Sequence, residues 1–326
     1  MSIYQTLLLS ELLKQDDEKK LVAIDKKALD SIIKSAPKMY QVYPIPKRTH
    51  GHRVIAHPAR PLKRCQRALN PLLAELLPVH DAAYAYRIGR GIRDNAKRHQ
   101  KSRYLLKLDF VDFFNSITPE LFFTVLEQMQ IELPDIDKKM LTQLLFWSPS
   151  KTDDSKLILS VGAPSSPLIS NFMMVQFDQA MDTLCVAKAV QYTRYADDIF
   201  FSTSSKNQLF DLPEQIATLL DELYGKSITI NEMKTAFSSK RHNRHVTGVT
   251  LTNDDQLSLG RKRKRVISSL VHRFSLGILD DDDISHLKGL LSFARSIEND
   301  FVIRLEKKYN KNTLQAIDKY RLQPDE

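Results

Sequence analysis

Three acidic residues stand where apolar stretches end, and their chemistry suits the binding of metal ions. Asp197 and Asp198 are adjacent and are followed by the apolar run IFF. Asp109 ends another apolar run, YLLKL, far upstream in the chain. Burying an unpaired carboxylate costs several kcal/mol, and a bound cation compensates that cost. The three acids are therefore candidate metal ligands.

The arrangement of the acids decides whether they can share a cation. Neighbouring side chains of a strand point to opposite faces, whereas a tight turn between two strands lets Asp197 and Asp198 approach one ion. If the strand that ends at Asp109 pairs with them, three carboxylates could hold two Mg²⁺ ions about 4 Å apart, which clamp the attacking and leaving oxygens of a phosphoryl transfer. An ordinary turn is the alternative, because acids favour turns. The flanking Tyr195 and Ala196 and the apolar run that follows favour the metal site.

The elements that would carry these acids follow from hydrophobic spacing and turn signals. The pattern predicts helices within 1–39, a β-hairpin over 40–62 with Gly51 in its turn, mostly helix over 63–103 with an interruption near Gly89 and Gly91, a strand at 104–110, helix over 118–148 starting at Thr118 and Pro119, and a helix at 168–186. It further predicts two strands within 190–203, a helix at 207–224, strands at 227–230 and 246–251, and helices from Gly260 onward with a break at Asp280–Asp283.

The composition fits a folded protein with a polyanionic partner. The chain has 326 residues, of which 42% are hydrophobic and 27% charged, and its formal net charge is +9. That length corresponds to roughly two domains, and the basic excess favours nucleic acid, because Lys and Arg release counterions from phosphates. Cys65 and Cys185 show no metal-type spacing and indicate free thiols in a reducing compartment. No apolar stretch reaches the roughly 20 residues of a membrane span, so we expect no membrane partner.

The box Tyr195-Ala196-Asp197-Asp198 resembles the catalytic box of reverse transcriptases, and DFVDFF at 109–114 resembles the first catalytic motif of that family. The resemblance implies that Asp109, Asp197 and Asp198 are catalytic and hold two Mg²⁺ ions, for which Mn²⁺ can substitute, with help from the main-chain carbonyl of Phe110. It also implies nucleotide contacts by Lys47 and Arg53 on the hairpin, by Phe114 as a steric gate against a ribose 2′-OH, by Gly162, Ala163 and Pro164 in a substrate-binding turn, and by Lys234 in the string NEMKT.

Two further strings resemble the signatures of retron reverse transcriptases. NAKRH, from Asn95 to His99, fits their NAxxH motif, and Val246, Thr247 and Gly248 form their VTG triplet. For these positions we expect contacts with RNA. For His99 the alternative is a structural role in which it orders the turn at Asn95. One position departs from the family: Val161 stands where retron and group II enzymes usually have Gln before the Gly-Ala-Pro turn.

A run of five basic residues supplies a further RNA-binding candidate: Arg261, Lys262, Arg263, Lys264 and Arg265. A cationic helix start opposes the helix dipole. We therefore favour contact with RNA or with the template–primer backbone over a merely solvated helix start.

The retron resemblance implies a right-hand polymerase of the α+β class with an antiparallel palm sheet and a helical thumb. We expect N-terminal helices and fingers at 1–104, a palm at 105–252 with inserted fingers helices at about 118–190, and the thumb at 253–326. The expected activity is RNA-directed DNA synthesis from dNTPs in the bacterial cytoplasm. A structured non-coding RNA would serve as template, and the 2′-OH of one of its guanosines would serve as primer.

The expected product is a branched RNA–DNA hybrid, multicopy single-stranded DNA, made in an anti-phage system with an effector protein encoded nearby. Two alternatives remain at this stage. One is another small bacterial reverse transcriptase, such as a group II-like enzyme, and the other is an RNA-binding subunit whose polymerase activity has lapsed.

Overall fold

The computed structural model describes residues 2–10, 13, 24–46, 51–150 and 156–321. Its helices are α1 (Ile3–Leu8), α2 (Lys26–Ser35), α3 (Arg60–Leu76), α4 (Ile92–His99), α5 (Pro119–Gln128), α6 (Asp135–Leu145), α7 (Ser166–Met173), α8 (Val175–Ala187), α9 (Leu212–Tyr224), α10 (Arg261–Ser275), α11 (Asp281–Tyr309) and α12 (Lys311–Lys319). Short 3₁₀ turns lie at Ala36–Lys38, Gly225–Ser227 and Glu232–Lys234.

The strands form four antiparallel groups. They are β1 (Tyr40–Pro46), β2 (His52–Pro58), β3 (Tyr104–Asp109), β4 (Phe146–Trp147), β5 (Ile158–Leu159), β6 (Gln191–Tyr195), β7 (Asp198–Thr203), β8 (Ala236–Ser239), β9 (Arg244–Val246), β10 (Val249–Leu251) and β11 (Leu257–Ser258). The main sheet has the order β6-β7-β3-β8, β9 to β11 form a three-stranded sheet, and β1–β2 and β4–β5 are two-stranded.

Strand β3 is central in the main sheet, and its side chains alternate between two different environments. Leu106 and Leu108 belong to the larger hydrophobic core, which the helices on that side complete. Leu105 points the other way, into a second core that it shares with Phe200 and the C-terminal helices. Because the side-chain period of a strand is two, Asp109 lies on the same face as Leu105. The acid therefore emerges on the face of the sheet where the larger core does not cover it.

Helix α4 covers the far end of this second face through a buried polar network. The His99 ring bonds to Ser202 Oγ through Nδ1 and to Thr193 Oγ1 through Nε2, each at 2.7 Å. Thr193 Oγ1 in turn donates to the Asn95 side-chain oxygen. The helix is thus fixed to β6 and β7 without reaching the end of the sheet at Asp109.

Helices α10 to α12 and the three-stranded sheet β9–β11 pack together around that second core. The Asp280 side chain caps α11 by accepting from Asp283 N at 2.8 Å, which confirms the predicted break there. The last helix is bound to α11 by the pair Arg295–Asp318, with both guanidinium nitrogens bonded at 2.9 and 2.7 Å. None of the described helices combines the length and the apolar character that a bilayer crossing requires.

Several element predictions need correction. Residues 77–91 are not helical, the predicted helix at 168–186 is two helices joined at Met174, and the helix predicted from 207 begins at Leu212. The predicted strand at 227–230 is a 3₁₀ turn followed by a single bridge between Ile230 and Phe110. Strand β8 was not predicted.

The remaining corrections concern packing and short strands. The segment predicted as helix over 118–148 contains two helices and ends in the short strand β4. The strand predicted at 246–251 is a hairpin whose turn is Thr247–Gly248. The right-hand polymerase resemblance implies a palm sheet with helices on one face, but helices pack on both faces of the main sheet, since α4 covers the second face near Ser202.

The buried His99 makes folding stability depend on pH. Burial lowers the pKa of His99 from 6.5 to about 3. The unfolded chain binds a proton below pH 6.5 that the folded chain does not, so this contribution is complete above pH 6.5 and is lost as the pH falls toward 3. We expect the free energy of unfolding to fall more steeply with decreasing pH in the wild type than in His99→Gln, by at most about 1.4 kcal/mol per pH unit. Urea titrations between pH 7.5 and 4.5 measure both slopes, and equal slopes would contradict the assignment.

Candidate active site

The pairing of two strands brings the predicted acids together. In the register of β3 and β7, Asp109 lies directly opposite Asp198. Asp197 precedes β7 in the turn, and its carbonyl accepts from Phe110 N at 3.2 Å. The expected meeting of the two strand ends is thus observed, and all three acids lie at one edge of the sheet.

The turn that carries Asp197 is a two-residue hairpin loop. Tyr195 pairs with Asp198, so Ala196 and Asp197 form the loop. Ala196 adopts a left-handed conformation, with φ of 56°. Two-residue hairpin loops favour positive φ because their twist then matches that of the strands. The small side chain of alanine keeps the steric cost of this conformation low.

The buried side chain of Arg194 fixes the position of this turn. Arg194 is fully buried, and its guanidinium forms a two-pronged pair with Asp178 at 2.8 and 2.7 Å. Its Nη1 donates to the Ala196 carbonyl at 3.1 Å and to the Asn171 side-chain oxygen at 3.2 Å. Tyr192 donates its hydroxyl to Asp178 at 2.6 Å. The carboxylate and its donors link α7 and α8 to the hairpin, so the position of the turn depends on this network.

Two lysines compensate two of the three acids. Lys107 Nζ lies 2.6 Å from Asp198 Oδ1, and Lys234 Nζ lies 2.8 Å from Asp109 Oδ1. Among the described residues Asp197 has no ion pair. Burial, followed by the charge of Asp109, raises the pKa of Asp197. Burial also raises the pKa of Asp198, although Lys107 opposes that effect. The site therefore holds negative charge at a cost in free energy.

The oxygen donors at this end of the sheet suit a metal ion in their chemistry but do not form a complete site. Within the described ranges, no group of three or more His, Cys, Asp or Glu side chains is positioned as a complete metal site. The donor chemistry nevertheless suits Mg²⁺, which takes few protein carboxylates and completes its shell with water and substrate phosphates. Asp197 is desolvated and forms no ion pair with a described cation. A bound metal ion would supply the positive charge that compensates this carboxylate.

A cavity of about 570 Å³ opens in front of the acids. Most of the predicted catalytic and nucleotide-contacting residues line it: Arg53, Asp109, Phe110, Phe114, Gly162, Ala163, Asp197 and Lys234. Asp198 and Pro164 are not among the lining residues. Asn70 donates its side-chain amide to the Pro164 carbonyl at 2.9 Å, which ties that residue to α3. Lys47 lies outside the described residues.

Gly162 lies where the β1–β2 hairpin meets the turn that was predicted to bind substrate. Its φ is 128°, and a Cβ at this position would lie 3.1 Å from the Ala56 carbonyl oxygen and 3.1 Å from a methyl carbon of Ile55. Ala56 N also donates to the Val161 carbonyl at 3.0 Å. Only glycine fits this conformation without strain, which explains the residue type. Val161 itself lines the cavity.

The residues predicted to contact RNA fall into two groups. Asn95, His99 and Val246 are fully buried, so RNA cannot reach their side chains. The expected RNA contact is therefore wrong for these three residues, and their role is structural. Thr247 and Gly248 form the turn of the β9–β10 hairpin, and Asn95 Nδ2 approaches Thr247 Oγ1 at 3.5 Å. The two retron-like strings are therefore neighbours in space.

The five basic residues at the start of α10 also fall into two groups, two with partners in the protein and three that are exposed. Arg263 donates to the Gly248 carbonyl at 2.9 Å and stacks over the Phe293 ring at 4.7 Å. Lys264 pairs with Glu298 at 2.6 Å. The other three residues are exposed and free to meet a polyanion: Arg261, Lys262 and Arg265.

Three features of the site were not predicted from the sequence. Lys107 could have been found, because it stands two residues before Asp109 and so shares its face of the strand. The partner of Arg194, Asp178, carries no local signal. Tyr86 lines the cavity from the irregular segment 77–91, which was predicted as interrupted helix.

Comparison with known proteins agrees with this geometry. Residues 45–251 match the family model described as reverse transcriptase (RNA-dependent DNA polymerase). The Retron Ec83 reverse transcriptase of Escherichia coli is 50% identical over 292 residues, which cover 89% of this chain and 94% of that protein. The Retron Ec73 reverse transcriptase of the same organism is 32% identical and covers 87% and 91%. The chain belongs to the retron reverse transcriptases.

Membership in this family confirms the fold class and the type of enzyme. The reverse transcriptase is an α+β right-hand polymerase with an antiparallel palm sheet, and it is an RNA-directed DNA polymerase. Enzymes of this family use divalent metal ions. A solved telomerase structure from Candida albicans, in complex with a fragment of telomeric RNA, covers 86% of this chain and 61% of its own at 12% identity and a TM-score of 0.46.

Variants of Arg194 and Asp178 can separate the effect of their ion pair on the stability of the protein from its effect on the position of the Ala196–Asp197 turn. Arg194→Met leaves the Asp178 carboxylate buried without a cation, although the Tyr192 hydroxyl still donates to it. Breaking a buried ion pair in this way costs about 3–5 kcal/mol. Adding Asp178→Leu removes the orphan charge and should recover much of that loss, whereas the Ala196 carbonyl still lacks its donor. We therefore expect the double variant to regain stability in urea titrations without regaining full primer extension. A single variant within about 1 kcal/mol of the wild type would contradict the network's role.

Proposed function

We propose that this reverse transcriptase copies a structured non-coding RNA and primes synthesis from the 2′-OH of one of its guanosines, which yields branched multicopy single-stranded DNA. The observation that carries the proposal is the register of Asp109 opposite Asp198, with Asp197 beside them at a cavity that also contains Arg53, Phe114 and Lys234. The likeness to retron enzymes over nearly nine-tenths of the chain supports the choice of substrate.

The three acids would hold two Mg²⁺ ions, or Mn²⁺ in their place, with the main-chain carbonyl of Phe110 as a further ligand. When bound, such ions neutralise the charge that develops on the transferred phosphate and stabilise the attacking and leaving oxygens. The lysines at Asp109 and Asp198 keep these acids from repelling one another before substrate arrives.

The cavity walls would position the nucleotide. Arg53 and Lys234 bring positive charge to the cavity and would bind the phosphates of the incoming dNTP. Gly162 and Ala163 let the backbone approach the nucleotide closely. Phe114, half-buried against the Phe113 ring at 5.6 Å, would block a ribose 2′-OH. Lys47 and Pro164 are proposed as further contacts. Positioning of this kind supplies a large share of the rate enhancement in bimolecular reactions.

The partners of the enzyme follow from the exposed cations. Arg261, Lys262 and Arg265 would bind phosphates of the non-coding RNA or of the RNA–DNA hybrid, next to the Thr247–Gly248 turn. We further propose an anti-phage role in the bacterial cytoplasm together with an effector protein. The domain division at 1–104, 105–252 and 253–326, with fingers helices inserted at about 118–190, is part of the same proposal.

The catalytic assignment predicts that Asp197→Ala with Asp198→Ala abolishes extension of a DNA primer annealed to RNA. Because burial raises the pKa of both acids, their charges do not favour the folded state at neutral pH. Removing them should therefore leave the melting temperature unchanged or raise it. Asp221→Ala, an exposed acid on α9, is the control and should extend as the wild type does. Normal extension by the double variant would end the site assignment.

The steric-gate assignment predicts a change in sugar selectivity. Phe114→Ala should raise the ratio of kcat/KM for rNTP to that for dNTP by at least about tenfold, since the wall against the 2′-OH is removed. Single-nucleotide insertion with matched rNTP and dNTP measures the ratio. Phe210→Ala, an exposed phenylalanine outside the cavity, is the control. An unchanged ratio in Phe114→Ala would assign the gate to another residue.

The proposed priming reaction predicts a branched product. The enzyme purified from its native locus should carry an RNA–DNA species whose DNA is released by a debranching enzyme, because a 2′–5′ linkage joins the two strands. Unbranched DNA in the same preparation would instead favour another small reverse transcriptase. Absence of any DNA, together with failure to extend an annealed primer, would favour a lapsed RNA-binding subunit.

A further inference from the structure

Tyr86 occupies an unusual place at the catalytic cavity. It lies in the irregular segment between α3 and α4 and lines the cavity together with Asp197 and Arg53. The residue is 57% exposed, although aromatic side chains are among the most favourable to bury. An exposed aromatic ring beside the proposed catalytic acids indicates that a ligand, rather than the protein core, covers it.

The backbone at Tyr86 is strained. Its φ is 61°, which is the left-handed region that bulky residues rarely adopt. Glycine or asparagine would adopt this conformation at lower cost. A costly conformation persists only where the surrounding structure imposes it, and such positions concentrate at functional sites.

The segment around Tyr86 is built to present it. Tyr84 N donates to the Arg194 carbonyl and Arg194 N donates to the Ala82 carbonyl, both at 2.8 Å, so the segment runs parallel to β6 beside the catalytic turn. Asn171 donates its amide to the Ala85 carbonyl at 2.9 Å. These bonds fix the residues on the N-terminal side of Tyr86 to the catalytic hairpin and to α7.

The other side of the segment is fastened by arginines. Arg87 donates to the His80 carbonyl at 3.0 Å, and Arg90 pairs with Asp81 at 2.9 Å while its guanidinium lies over the Tyr84 ring. The loop is therefore closed on itself and cannot easily swing away. The backbone is therefore held on both sides of Tyr86.

The chemistry around the ring selects the ligand. Arg53 and Lys234 bring positive charge to the same cavity, which suits phosphates, and an exposed aromatic face suits a nucleobase. The carboxylate of Asp197 is near enough to the Tyr86 hydroxyl to help raise its pKa, after the larger effect of desolvation. The phenol is therefore neutral at the reaction centre and adds no charge that would repel a nucleotide.

We propose that Tyr86 is a substrate-binding residue whose ring stacks on a nucleobase at the reaction centre. The base belongs either to the incoming dNTP or to the primer terminus, since both lie at this point of a polymerase reaction. The inference rests on the proposed catalytic site and adds a residue that sets its affinity and its alignment.

Three variants test the proposal: Tyr86→Ala removes the ring, Tyr86→Phe keeps the ring without the hydroxyl, and Ile88→Ala changes a fully exposed residue of the same loop outside the cavity. Single-nucleotide extension on an RNA template gives kcat and KM for the dNTP. Anisotropy of a labelled template–primer gives its Kd, and calorimetry gives the Kd of the dNTP for a complex with a dideoxy-terminated primer.

We expect Tyr86→Ala to lower kcat/KM about tenfold, because stacking of one base is typically of that strength. The kcat/KM of Tyr86→Phe should stay within about twofold of the wild-type value, and that of Ile88→Ala should be unchanged. The melting temperature of Tyr86→Ala should also equal that of the wild type. Weaker dNTP binding with an unchanged template–primer Kd assigns the stack to the incoming nucleotide, and the reverse assigns it to the primer terminus.

Wild-type behaviour of Tyr86→Ala in both binding measurements and in extension would overturn the proposal. So would an equal loss in Tyr86→Phe, since the hydroxyl would then carry the effect, or an equal loss in Ile88→Ala. A wild-type chain that binds substrates but extends no primer would refute the proposed function instead. In that case the two equilibrium constants still decide the role of Tyr86.

Discussion

The structure depends on keeping three carboxylates together on one edge of a sheet. Like charges in a partly desolvated place repel strongly, because the local dielectric is far below that of water. Burial raises the pKa of both Asp197 and Asp198, and the charges of the neighbouring acids raise it further. Lys107 and Lys234 offset part of it from neighbouring positions. The residual negative charge suits the proposed reaction on phosphates, because it would attract the cations that neutralise them.

A second constraint is that the turn carrying Asp197 must not move. The fully buried pair Arg194–Asp178 joins the β6–β7 hairpin to α8, and the same guanidinium donates to the carbonyl of Ala196. Buried ion pairs add little net stability compared with apolar packing. Here the pair fixes geometry, because one guanidinium meets a carboxylate, an amide and a main-chain carbonyl at once. The arginine therefore fixes the position of the turn that carries Asp197.

The sequence allowed the meeting of the three acids to be expected because its signals are local. The apolar run before Asp109 and the box around Asp197 each predict a strand end. The acids meet only if these strands pair, and the structure shows that they do. Contacts between distant segments left no such signal. His99 illustrates this limit: the motif suggested an RNA contact, but Thr193 and Ser202, about a hundred residues away in the chain, bury its ring. Strand β8 escaped prediction because it is a short edge strand with two exposed residues.

Three of the nine described non-glycine residues with positive φ lie around the same acids. Tyr86, Asp112 and Ala196 all have positive φ, and each lines the cavity or adjoins a residue that does. Such conformations persist only where other contacts determine them, and those contacts are visible for two of the three residues. Ala196 is held by Arg194, and the neighbours of Tyr86 are bonded to the main chain of that same residue. One buried arginine thus joins the turn that carries Asp197 to the loop that carries Tyr86. A change in the position of either segment should therefore shift the other.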